Sequence, residues 1–300
     1  MPRISVLTSL YGSEPYIQEL YDRTCAALAD VTEDIEFVFV DDGSPDAGNA
    51  VVATIIEQDE RVRLVELSRN FGQHRALMAG LHHTTGDMVF MIDSDLEEDP
   101  ELVATFYKKI EANPELDVVY GVMSARKGSL FERLPGALFY WSMNMLSEIP
   151  IPTDVMGARL MKRDFVNTLL EFPEAHPFVG GIMAFAGYRQ EGVECAKSSK
   201  GVTSYSLRRK IGLAGNALVS YSTRPLVWIA AMGAGISLVG LLGVVVVALR
   251  GADAAAWGLA SIWLLGGLII LSVGVVGVYV GRVFGQVKRR PNAIVRKIHN

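Results

Sequence analysis

The chain has 300 residues, half of them hydrophobic, with 33 acidic and 28 basic side chains and a net charge of −5. The acidic balance excludes a general nucleic-acid binder, which relies on excess Lys and Arg to displace counterions from phosphates, and a mean hydropathy above zero argues against a purely soluble protein. Two cysteines, Cys25 and Cys195, are too few for a disulfide framework or a thiolate zinc site and fit a reducing compartment.

The first residues, Met1-Pro-Arg-Ile-Ser-Val-Leu7, lead straight into a strand-like run with none of the marks of a signal peptide. Apolar runs rich in β-branched residues follow at Ile4–Thr8, Ile35–Val40, Val62–Leu67, Met88–Ile92 and Val118–Tyr120, separated by helix-like segments near 15–29, 46–58, 73–84 and 99–111. That alternation predicts an α/β fold with a mostly parallel sheet and helices on both faces. Ligands bind such sheets beyond the carboxyl ends of the strands. The residues to inspect are therefore Tyr11 to Glu14, Asp41-Asp42-Gly43-Ser44, Ser68-Arg69-Asn70 and Asp93-Ser94-Asp95.

After residue 122 the pattern loosens into a basic turn, Arg126-Lys127-Gly128, and an aromatic and Met-rich segment, Leu134–Leu146, which is either a core helix or one lying at lipid headgroups. Residues 206–224 read as a juxtamembrane amphipathic helix. Residues 225–249 and 257–281 are almost uncharged, and each exceeds the roughly 20 apolar residues that a helix needs to cross a bilayer. Arg208, Arg209, Lys210 and Arg224 precede the first span, while Arg282, Lys288, Arg289, Arg290, Arg296 and Lys297 follow the second. The loop between the spans holds only Arg250 and Asp253 as charges. Positive-inside bias then keeps the domain of residues 1–205 and the basic tail of residues 282–300 both in the cytoplasm, as parts of a multi-pass inner-membrane protein. Small residues at Gly233-Ala-Gly235 and Gly277–Gly281 read as close helix packing, within the chain or between subunits.

Two strand ends carry the chemistry. Asp93 and Asp95 follow a fully apolar strand, where two carboxylates one residue apart suit a hard divalent cation that takes one or two carboxylates plus substrate phosphates. Glu98 and Asp99 read as a solvated first turn of the next helix, with Asp99 as its N-cap before Pro100. Upstream, Asp41 and Asp42 are candidates to accept hydrogen bonds from a nucleobase or ribose, without a means of separating their roles. Arg69 and Gln73 lie in the segment Ser68–His74, which is placed to shape the donor pocket; His74 reads as structural, and His82, His83 and His299 as background. No serine has the surroundings of a hydrolase nucleophile.

Together, Val40-Asp-Asp-Gly-Ser44 and Asp93-Ser-Asp95 resemble the family 2 glycosyltransferases with a GT-A fold. The stretch Leu67-Ser-Arg-Asn-Phe-Gly-Gln-His74 through Asp99 is similar to the polyisoprenyl-phosphate glycosyltransferases, the group that includes dolichol-phosphate mannose synthase and bacterial undecaprenyl-phosphate transferases. Arg159-Leu-Met, Gly201–Ser206, Pro225-Leu and Val278–Arg282 fall in the same order. The resemblance implies Mg2+ or Mn2+ on Asp93 and Asp95, with Glu97 standing where the group has Gln as an added ligand. It implies a nucleotide-sugar donor on Asp42 with Tyr11, Glu14, Asp41, Arg69 and Gln73 around it, and a polyisoprenyl phosphate acceptor drawn from the bilayer. Arg126 and Arg159 are expected to assist catalysis, and Arg126, Lys127, Ser204, Tyr205, Arg208 and Arg209 to engage the acceptor phosphate. A homotetramer is a further family expectation. Three departures stand out: Ser9-Leu-Tyr-Gly-Ser-Glu14 replaces the usual first strand end, Glu97 replaces Gln, and the acidic residue that the group often has close before Arg159 is absent from Met156-Gly-Ala158.

Sugar transfer from the donor to the lipid phosphate, inverting the anomeric centre, is the expected reaction. The alternatives are a catalytically silent membrane module that binds nucleotide-sugars or partners, and a processive polysaccharide synthase. The latter needs more membrane helices and a Gln-X-X-Arg-Trp segment, which the sequence lacks.

Overall fold

The computed structural model describes residues 2–123, 155–172, 179–195 and 291–300, with single helical positions between 258 and 287. The chain divides into two compact units, one of residues 1–140, 149–205 and 290–300 and the other of residues 141–148 and 206–289.

In the first unit the strands are β1 (Ile4–Leu10), β2 (Ile35–Asp41), β3 (Val62–Leu67), β4 (Met88–Met91), β5 (Val118–Met123), β6 (Val155–Lys162), β7 (Gln190–Cys195) and β8 (Val295–His299). The helices are α1 (Ile17–Leu28), α2 (Gly48–Ile56), α3 (Gln73–Leu81), α4 (Leu102–Ala112), α5 (Arg163–Leu170) and α6 (Val179–Phe185). One eight-stranded sheet runs in the order β7-β5-β6-β4-β1-β2-β3-β8. The block β4-β1-β2-β3 is parallel, as the alternating runs predict. Every residue of β2 is buried, because both faces of a central parallel strand are covered. On one face Ile4, Val6, Phe37, Phe39, Leu64 and Phe90 meet Leu20, Val52 and Phe106 from α1, α2 and α4.

Two features depart from a simple parallel run. Strand β6 inserts between β4 and β5 and is antiparallel to both, so the fifth apolar run does not pair with the fourth. The tail, read only as a basic end, supplies β8, which pairs antiparallel with β3. Side chains pin it: His299 lies 2.9 Å from Glu66, Arg63 donates to Asn300 at 2.7 Å, and the Ser68 amide donates to the Ile294 carbonyl at 2.9 Å. An otherwise bare edge of β3 is thereby covered by a strand bearing Arg296 and Lys297, charges of the kind that discourage further strand pairing.

At the opposite ends of these strands Glu36 is buried and accepts hydrogen bonds from Ser5, from the Thr85 amide and hydroxyl, and from the Gly86 amide. Thus the sheet base is polar yet satisfied, as buried carboxylates require.

No helix among the described residues is long and apolar enough to cross a membrane. The expected span 225–249, the juxtamembrane helix and the Leu134–Leu146 segment lie outside the described residues. In the second unit Leu265, Ile269, Val273, Val276, Val280, Val283, Phe284 and Val287 are helical and exposed.

Candidate active site

The carboxyl ends of β1, β2, β3 and β4 converge on one side of the first unit. The Asp93-Ser94-Asp95 turn follows β4 directly, and its middle residue is its anchor. The buried Ser94 hydroxyl donates to the Ser9 carbonyl at 2.9 Å and sits 2.6 Å from the Ser13 hydroxyl, tying the turn to the end of β1. Leu96 then takes a left-handed backbone, φ +55°, with its side chain buried, a costly conformation for a branched residue that tends to occur at functional turns. The turn leaves Asp93 half-buried and Asp95 exposed.

Asp93 accepts a hydrogen bond from the Gln73 amide at 2.8 Å, so two expected site residues from separate elements meet. Asp95 accepts the Glu97 backbone amide at 3.0 Å. Among the described residues no three His, Cys, Asp or Glu side chains converge as a metal centre, so the expected set of Asp93, Asp95 and Glu97 is not assembled. What remains is a carboxylate pair on one turn, one member facing solvent, which fits a divalent cation that draws its other ligands from phosphates and water.

Both upstream aspartates are buried and serve the loops. Asp41 accepts from the Ser44 amide at 2.7 Å and the Asn49 side chain at 2.8 Å. Asp42 accepts from the Phe71 and Gly72 amides at 2.7 and 2.8 Å, locking the loop after β3 onto the end of β2. Burial lifts the Asp42 carboxyl above its ordinary value against the pull of those amides, and the neighbouring Asp41 charge adds to the rise. Gly43 is required at this junction: its φ is +66°, and a Cβ there would lie 2.6 Å from the Asn70 nitrogen. Glu14 accepts the Ala47 amide at 3.0 Å and its own amide donates to Asp46 at 2.9 Å, joining the ends of β1 and β2. Tyr11 is exposed beside them. Arg69 lies over the Phe71 ring at 4.1 Å and caps the Asn70 carbonyl at 2.9 Å. His74 is largely buried, and burial together with the Arg159 charge pulls its imidazole below the ordinary value, in keeping with a structural role.

Three readings need correction. Glu98 is not solvated: it is 1 % exposed, and its two oxygens accept the Gly157 and Ala158 amides at 2.7 and 2.5 Å. Asp99 does not cap α4, whose N-cap is Glu101; its carboxylate instead faces Arg23 at 3.4 Å. Arg159 does not present its guanidinium to a phosphate. The side chain is buried, and its donors go to the Gly157 and Met156 carbonyls at 3.1 and 2.9 Å and to the Met183 sulfur. Burial lowers its pKa, while Glu98, Asp93 and Tyr120 pull the other way. Arg126, Lys127, Ser204, Tyr205, Arg208 and Arg209 lie outside the described residues.

Sequence reasoning missed Glu98 as an inward-facing group, Ser94 as an anchor and Gly157 as a contact. The sequence marked Met156-Gly-Ala158 only as lacking an acidic residue close before Arg159; the structure adds that a Cβ on Gly157 would stand 2.8 Å from an Asp93 carboxylate oxygen.

Residues 5–198 match the family described as Glycosyl transferase family 2. The chain belongs to that family. It is thus a glycosyltransferase, and relatives align with it almost end to end. A protein described as a putative glycosyltransferase of Mycobacterium tuberculosis is 39 % identical over 99 % of this chain and 88 % of its own length. An undecaprenyl-phosphate 4-deoxy-4-formamido-L-arabinose transferase of Shewanella sediminis is 31 % identical, covering 98 % and 92 % respectively. A prophage-derived bactoprenol glucosyl transferase of Shigella flexneri is also 31 % identical, covering 99 % and 98 %. Among solved structures, the glucosyl-3-phosphoglycerate synthase of Mycobacterium tuberculosis in complex with UDP superposes with a TM-score of 0.51 at 18 % identity, over 74 % of this chain and 80 % of that one. That likeness supports the GT-A type of fold for this transferase.

Proposed function

We propose that this glycosyltransferase moves a sugar from a nucleotide-sugar to a polyisoprenyl phosphate of the undecaprenyl type at the cytoplasmic face of the membrane. The observation that carries the reading is the Asp93-Ser94-Asp95 turn. It stands at the carboxyl end of β4, tied to β1 by Ser94 and to the start of α3 by Gln73, in a chain that aligns over nearly its whole length with relatives named as undecaprenyl-phosphate and bactoprenol transferases.

Asp93 and Asp95 would hold Mg2+ or Mn2+, which when bound neutralises and orients a diphosphate leaving group. A phosphate oxygen of the lipid attacks the anomeric carbon as the bond to the nucleoside diphosphate breaks, inverting the centre. The nucleophile is anionic at neutral pH, so no strong general base is needed. The protein's task is to hold two mutually repelling anions in line. The loops stapled by Asp41, Asp42 and Glu14 frame the donor, with Tyr11 and Arg69 at its edge. Arg126, Lys127, Ser204, Tyr205, Arg208 and Arg209 receive the acceptor phosphate, where arginine provides paired donors.

The membrane part of the proposal assigns two spans, 225–249 and 257–281. Support comes from the exposed apolar helical positions from Leu265 to Val287, a pattern that in water marks a lipid or protein contact. The pairing of β8 with β3 also bears on topology: the tail belongs to the same sheet as the N-terminal strands, so any intervening crossings are even in number. A homotetramer belongs to the same reading.

The test is transfer of label from a radiolabelled nucleotide-sugar to undecaprenyl phosphate by the full chain in detergent with Mn2+ or Mg2+. Label is expected in the organic phase, abolished by chelator and by Asp95→Ala. Transfer that survives both would remove the metal assignment.

A further inference from the structure

Strand β6 is irregular where it passes the site. Between two of its pairings with β5, Tyr120 with Arg159 and Val122 with Val155, the single residue Gly121 faces the three residues Met156–Ala158, so β6 bulges across Met156–Ala158. Beyond Met91 the β4 chain leaves the ladder to form the Asp93 turn, and the amides of the bulge lose a strand partner. Glu98 replaces it by accepting from both Gly157 and Ala158. From the other side Arg159 donates to the Met156 and Gly157 carbonyls. The bulge is thus held at its amides by a buried carboxylate and at its carbonyls by a buried guanidinium.

Against this bulge rests Asp93. Gly157 leaves the space that the Asp93 carboxylate fills, its oxygen 2.8 Å from where a Cβ would stand, while Gln73 holds the other oxygen. We infer that Glu98 and Arg159 are positioning residues, clamping the β6 bulge so that Gly157 forms a fixed floor under Asp93 and sets the affinity of the site for a divalent cation with a nucleoside diphosphate. The inference rests on the proposed donor role of Asp93. Buried ions of this kind contribute little net stability beyond what apolar side chains of equal size would give, whereas bulges beside active sites re-aim the side chains near them. Neither group reaches the reacting atoms; each acts through Asp93.

Gly157→Ala and Glu98→Gln strike the same carboxylate from two directions. The alanine methyl displaces Asp93 and leaves the bonds of Glu98 in place. The glutamine amide keeps the side chain's size but turns a donor toward one of the backbone amides. Mn2+ binding to the full chain in detergent, followed by the loss of free-Mn2+ paramagnetic signal with UDP or GDP present, reads the site without turnover. Each variant is expected to weaken Mn2+ binding by roughly tenfold or more, the scale for groups that orient a ligand. The donor KM should rise and recover at high Mn2+, and the melting temperature of Gly157→Ala should stay near that of the parent. Arg159→Lys, which keeps the charge but loses the paired donors, should follow Glu98→Gln. Parent-like Mn2+ binding in Gly157→Ala and Glu98→Gln overturns the clamp while leaving the function intact, as does weakening in Glu98→Gln alone. Should Glu98→Gln fail to fold, Arg159→Lys takes its place: weakened Mn2+ binding supports the clamp, and parent-like binding overturns it. A parent protein that transfers no sugar and binds no Mn2+ with either nucleotide removes the functional reading and the clamp together.

Discussion

At the residue scale the site separates into side chains facing solvent and side chains spent on the scaffold. Asp95 is exposed and bonds only within its own turn among the described contacts. Asp95→Asn is therefore expected to cost roughly 100-fold or more in transfer, the several kcal/mol that a bound cation supplies at a leaving group, with a melting temperature indistinguishable from the parent in a thermal scan. Asp42 should behave differently, because its carboxylate fixes the amides of Phe71 and Gly72. Asp42→Asn places amide hydrogens against one of those donors and should destabilise the fold by about 1–3 kcal/mol, while raising donor KM; thermal unfolding and donor kinetics on one preparation check both. Asp93 and Asp95 were legible in the sequence because a wholly apolar strand ends on them. Glu98 was not, since its apparent place in an acidic helix start gives no sign that a left-handed Leu96 turns the chain back into the protein. Arg159 was legible as important but not in its role, because local sequence cannot tell a guanidinium aimed at a ligand from one aimed at its own strand.

At the scale of elements, β1 to β4 and α1 to α4 could be read because short runs rich in apolar and β-branched residues alternate along the chain with helix-like segments. Strands β6, β7 and β8 could not. Val295-Arg-Lys-Ile-His299 looks like a charged tail, and its partner β3 lies more than 200 residues earlier. Deleting residues 295–300 should uncover the β3 edge, cost on the order of 3 kcal/mol from the lost ladder and lower the melting temperature by roughly 6–12 °C; a scan of the truncated chain showing no shift would deny β8 its structural part. A second element-level prediction concerns acid. Tyr21 on α1 and Arg61 just before β3 both bond Asp59, and the Arg61 hydrogen bond is the main cause that holds the carboxyl at about 2, below its ordinary 3.8. Since the folded value is the lower one, the pair's contribution is complete above the unfolded value and is lost as pH falls from about 4 toward 2. Asp59→Asn should flatten that part of a melting-temperature profile against pH; an unchanged acid limb would contradict the assignment.

On the scale of the whole molecule, the sheet of the first unit includes the last residues of the chain, and the described helical positions of the second unit expose apolar side chains. Two crossings require the loop of residues 250–256 to lie opposite both termini. Single cysteines introduced there, in a chain lacking Cys25 and Cys195, should react with a membrane-impermeant thiol reagent from outside the cell, while one at Asn300 should react only after lysis. Labelling of both from the same side would break the topology. The acceptor is identified by incubating the purified full chain with undecaprenyl phosphate, Mn2+ and a panel of UDP-, GDP- and dTDP-sugars, then weighing the lipid products by mass spectrometry. One donor is expected to add a single sugar to the lipid phosphate with release of its nucleoside diphosphate. Donor consumption that leaves the lipid mass unchanged and sends the sugar to a water-soluble acceptor would contradict it.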